Sequence, residues 1–96
     1  MGIDKAKLLQ AKLDGIRATL ERATEKQKKD LVSIAMAEDF NRIVADVAEA
    51  YPELKGSLPQ EIKPHRMARD LGMSEVNYLE LEIYLEQVLR LLNAVA

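Results

Sequence analysis

Two apolar stripes in the first half of the chain cannot both be buried by one straight helix. Leu9, Leu13, Ile16 and Leu20 recur at spacings of four, three and four, and Met36, Phe40, Ile43 and Val47 repeat that rhythm. Each is the pattern of a helix with one buried face. No glycine or proline stands between Ile16 and Tyr51, so a single rod of about 70 Å, at ~1.5 Å rise per residue, is the first geometry to test. At ~100° per residue, however, the first stripe averages near ~190° and the second near ~10°, on nearly opposite sides. The chain must bend between them. Lys26, Lys28 and Lys29 suit the negative end of a helix dipole and Asp30 suits the N-cap of the next helix. A turn or kink is therefore expected near 28–33, with helices over 3–29 and 31–51.

Pro52 turns Tyr51 away from helical geometry, and the stretch from Pro52 to Pro64 holds all three prolines and Gly56. It reads as a loop over 52–63. Pro64 fits the first turn of a short helix over 64–71, which Gly72 would end in a left-handed conformation. Ser74 is then an N-cap, and Tyr78, Leu81, Leu85, Val88, Leu92 and Val95 mark a last helix over 75–94. Ala, Leu, Glu, Lys, Gln and Arg fill most positions, all good helix formers. The expected fold is all-α: one helical domain over 1–96, a small bundle of three long helices and one short helix, with the first two antiparallel or sharply kinked. Leu13, Ile16, Leu20, Phe40, Ile43, Val47, Leu71, Leu85, Val88 and Leu92 are its expected core. Gly15, inside the first helix, reads as a surface glycine.

The chemistry-bearing residues are sparse. There is no cysteine, hence no disulfide, thiolate zinc site or cysteine nucleophile. His65 is the only histidine, so a serine–histidine triad or a paired metal site would have to use it, and it follows Pro64 at an exposed helix start. Glu61 precedes it by four residues, a helical spacing only if the helix ran through Pro64. Di-metal bundles use Glu-x-x-His pairs, of which the chain has none. Asp46 and Glu49 share a face with Glu38 and Asp39 nearby, but no second helix repeats the acidic pair as acidic nucleotide-hydrolase bundles do, so a solvated face is expected. The four glycines are isolated, so no phosphate loop is present. No enzyme activity, cofactor or metal is expected, a metal-dependent helical-bundle hydrolase being the remote alternative.

The pattern Met67-Ala68-Arg69-Asp70-Leu71-Gly72-Met73-Ser74-Glu75-Val76 resembles the turn of a helix-turn-helix. The resemblance implies a DNA-binding regulator using residues 64–86. It would set Ser74, Asn77 and Tyr78, with Glu75, near bases, and Arg66 and Arg69 near phosphates. Against this stand Glu75, Glu80, Glu82 and Glu86 on the same helix and a net charge of -2, which repel a phosphate backbone. The same stretch also resembles a corner of the death-fold interaction domains, whose six-helix length this chain does not have.

The last helix is wider in its apolar stripe than one buried face requires. Leu79, Ile83, Tyr84, Leu89 and Leu91 flank the central row, and they form the expected interaction surface for a homodimer or another helical protein. Glu86 and Arg90, four apart, suit a surface ion pair. Residues 1–30 carry eight basic and five acidic side chains, residues 31–96 six and eleven. Opposite signs of this kind can steer antiparallel self-association or partner choice, but helix dipoles and solubility produce the same asymmetry without a function, and that is the preferred reading. The amino terminus mixes Asp4, Lys5 and Lys7 with its apolar residues, unlike an export signal, and no apolar run is long enough to span a bilayer. A cytoplasmic, non-enzymatic assembly module without membrane contact is expected.

Overall fold

Asp4 accepts a hydrogen bond from the amide of Ala6 (2.9 Å) and opens α1 (Lys5–Glu21) in the computed structural model, which describes residues 4–95. The expected helix start at Ile3 lies outside the described residues. The first stripe behaves as its spacing requires: Leu9, Leu13 and Leu20 are buried and Ile16 is half-buried. The helix ends at Glu21, well short of residue 29. Thr24 and Gln27 exchange reciprocal bonds, Thr24 N–H to Gln27 Oε1 (2.9 Å) and Gln27 N–H to Thr24 Oγ1 (3.2 Å). That is a capping box, which begins a new helical turn rather than continuing the old one. One turn of 3-10 helix over Gln27–Lys29 follows.

The bend is where the opposed stripes demand it, but it is built differently. Residues 31–33 are a short strand, β1 (Leu31–Ser33), and α2 (Ile34–Ala50) begins only after it. Ser33 is the N-cap, its Oγ accepting from Met36 N–H at 3.2 Å. Asp30, expected in that role, instead lends its backbone carbonyl to Tyr78 N–H (3.2 Å). Lys5 and Leu8 share a cleft with Glu49 and Ala50, while Ile16 and Thr19 share another with Met36 and Asp39, so α1 and α2 run antiparallel. The longest dimension of the molecule is 43 Å, which leaves no space for a rod of about 70 Å.

After Pro52 a 3-10 segment (Pro52–Ser57) buries Leu54. The helix expected over 64–71 does not form. Residues 63–65 instead lie extended against β2 (Met73–Asn77), through His65 N–H to Met73 carbonyl and Glu75 N–H to Lys63 carbonyl, both 2.9 Å. Only Arg69–Leu71 makes a single 3-10 turn. Gly72 adopts the expected left-handed conformation (φ 75°) and passes the chain into β2 rather than into a helix. β2 pairs antiparallel with β1, Leu31 opposite Asn77 and Ser33 opposite Met73. It spends four residues where β1 spends two, so it bulges around the buried Ser74 and Val76.

The last helix, α3 (Tyr78–Val95), consequently starts at Tyr78 and not at Glu75. Asn77 and Glu80 form its capping box: Glu80 N–H to Asn77 Oδ1 (2.8 Å) and Asn77 N–H to Glu80 Oε1 (3.1 Å). Leu81, Leu85, Val88, Leu89 and Leu92 are buried and meet the stripes of α1 and α2 around Phe40. The small helical bundle is thus correct in class, with a two-stranded sheet added at one corner. Leu71 leaves the expected core, being 77 % exposed on the turn before Gly72. Val32, Ile62 and Val76 enter it from the extended segments.

Candidate interaction surface

The five apolar residues expected to face a partner divide into three groups. Leu79 and Ile83 stand in water on α3, 43 % and 58 % exposed and one turn apart. Tyr84 and Leu91 are half-buried against the core, and Leu89 is only 7 % exposed. The reason is internal. Besides α1, α3 is packed against β1, β2 and the 3-10 turn at Gln27–Lys29, elements absent from a purely helical reading. The breadth of its stripe is largely satisfied within the chain.

The residues of the nucleic-acid alternative are scattered by the same change. Ser74 is completely buried, its Oγ turned to the backbone of Val76, so it cannot reach a base. Asn77 is committed to the α3 capping box, and Tyr78 packs against the core. Arg66 and Arg69 are exposed near the tip of the 63–75 hairpin. The strand β2 occupies the place of the second helix, so the helix-turn-helix geometry is not formed. His65 is half-buried and holds this hairpin: its Nδ1 accepts the amides of Met67 (3.0 Å) and Ala68 (2.8 Å).

Glu86 pairs not with Arg90 but with Arg17 on α1. Both Nε (3.1 Å) and Nη2 of Arg17 donate to its Oε1, and Asp14 lies 3.7 Å from Nη1. The hydrogen bond to Glu86, with the charges of Glu86, Asp14 and Glu21, raises the Arg17 pKa against a desolvation effect that lowers it. Further along the same helix face, Gln10 Nε2 donates to Asn93 Oδ1 (2.7 Å), which ties α1 and α3 together antiparallel.

The opposite flank of α1 is open. Between α1 and α2 runs a cleft of about 540 Å³ that continues into a second of about 220 Å³, the two sharing Lys12 and Asp46. Ile16, Met36 and Ile43 line the first and Leu8, Leu9 and Ala50 the second. Lys5 and Lys12 edge the α1 side, while Asp39, Asp46 and Glu49 edge the α2 side. Arg42 is bonded to Asp39 one turn away. Gly15 adds width, since beyond its chain neighbours and its own helical backbone no atom lies within 4 Å of where a Cβ would stand. The signal was present in the sequence: Lys5, Leu8, Lys12, Gly15 and Thr19 repeat at three, four, three and four beside the core stripe. Only the placement of α2 makes that row one wall of a groove.

Among the described residues no three of His, Asp and Glu gather as a metal site, and no helix is long and apolar enough to cross a membrane. No protein-family model, curated protein or solved structure matches the chain.

Proposed function

We propose that this chain is a non-enzymatic helical protein–protein interaction module that pairs with a second copy of itself or with another helical protein. The observation that supports the reading is the presence of large apolar side chains in water on regular helices, Leu79 and Ile83 on α3 and Leu8 on α1. These side chains sit on rigid elements rather than on loops, so a partner meets a preformed surface and little ordering is required on binding. The clefts present apolar floors with charged edges, the arrangement of a helix-docking face. Sedimentation equilibrium from micromolar to millimolar concentration tests self-association. A concentration-dependent shift from monomer to dimer is expected, and a monomer throughout counts against self-pairing.

A further inference from the structure

We infer that the α1–α2 groove is where the second copy docks, in one particular two-fold arrangement: α1 of each protomer lies across α2 of the other. This rests on the self-association proposed above and adds a surface and its geometry, which take in Leu8 and leave Leu79 and Ile83 on α3 outside the contact.

The charges select the arrangement. α1 carries four basic and two acidic residues, and α2 one basic and four acidic. In the smaller cleft the division is complete, with Lys5 and Lys12 along one edge and Asp46 and Glu49 along the other, and in the larger one the α2 edge carries Arg42 bonded to Asp39 beside Asp46. Because the two helices are antiparallel, Lys12 and Asp46, which line both clefts, stand opposite each other, and at ~1.5 Å rise per residue Leu8 falls level with Ala50 and Lys5 about one turn beyond Glu49. Two copies meeting face to face can be related by an axis across the helices or by an axis along them. The first stacks α1 on α1 and α2 on α2, so lysines face lysines and carboxylates face carboxylates. The second places α1 over the partner's α2 at the same height. Each Lys12 then meets an Asp46 of the other copy and each Lys5 side chain extends about one turn toward its Glu49, while the open space at Gly15 receives the opposing helix. Like-charge contact disfavours the first and complementarity favours the second.

The flank is also free to do this. At ~100° per residue, Lys5, Leu8, Lys12 and Thr19 lie across α1 from Gln10, Asp14 and Arg17, the side that meets α3. Two 17-residue helices side by side present a footprint of about 25 by 20 Å, roughly 500 Å² per partner, at the small end of specific interfaces. The dimer should therefore be weak and salt-sensitive.

A charge-swap mixing experiment on the full chain tests it. Lys12→Glu alone sets a carboxylate against Asp46 at both contacts of the dimer, and Asp46→Lys alone sets two lysine pairs. Each variant by itself should dimerise at least about tenfold more weakly than the native chain. Mixed in equal amounts, they regain both attractive contacts, and association should return to within about threefold of native. Lys5→Glu with Glu49→Lys gives an independent arm, and thermal melts confirm that each variant is folded. Effects inside one chain are not repaired by mixing, so recovery isolates the contact between copies. Native dimerisation without recovery in either mixture overturns the groove arrangement and leaves self-association standing. A native monomer up to millimolar concentration overturns both.

Discussion

Asn41 on α2 grips the backbone of Ile62 from both sides, its Nδ2 donating to the Ile62 carbonyl at 2.8 Å and its Oδ1 accepting the Ile62 amide at 2.9 Å. One side-chain amide thereby acts as the missing neighbour strand for a segment with no regular partner at that point. Ile62 is buried beside it, so the chain enters the 63–75 hairpin from a fixed place.

Asn41→Ala leaves both backbone groups of Ile62 without a protein partner. A loss of about 1–3 kcal/mol is expected from the two unmade bonds. Urea unfolding gives the magnitude, and amide exchange at Ile62 should accelerate. Unchanged protection there would show that the clamp does not hold the segment.

Gly72→Ala places a Cβ on a residue at φ 75° with nothing within 4 Å of it. The cost is therefore conformational rather than steric, about 1–2 kcal/mol, and Gly72→Asn should cost less because Asn tolerates this region better. Thermal melts of the two variants, ranked in that order, are the check.

Leu71 and Leu81 reverse what composition alone suggests. Leu71→Ser, on an exposed turn, should change stability by no more than about 0.5 kcal/mol. Leu81→Ala, at a fully buried site, should lose about 2–5 kcal/mol. Comparable losses at the two positions would place Leu71 in a packed environment after all.

Arg17 and Glu86 are each more than a third exposed, so screening should govern their pair. Glu86→Gln is expected to lower the melting temperature slightly in dilute buffer. The difference should vanish near about 1 M salt, where the Debye length is about 3 Å.

The long helices were legible because each carries its own periodic stripe, and a stripe of three or four turns is a strong local signal. The short elements were not. Met73–Asn77 has only two inward positions, Ser74 and Val76, too few for alternation to compete with Ser74 read as a helix cap. The true caps were written in the sequence as Thr24-x-x-Gln27 and Asn77-x-x-Glu80, and they set helix ends more sharply than the runs of helix-forming residues around them. Leu79 and Ile83 were recognisable as surplus apolar surface, whereas Leu89 was not separable from them, because what covers it comes from remote parts of the chain.

The chain alone determined that three amphipathic helices form and that the backbone bends between the first two, since apolar spacing and helical rotation are local properties. Tertiary structure decided the rest: the strand pairing of residues 31 and 77, the Arg17–Glu86 contact and the groove in which Lys12 and Asp46 share one wall each. These relationships join residues tens of positions apart, and their free energy depends on which surfaces meet, a quantity that no local sequence window contains.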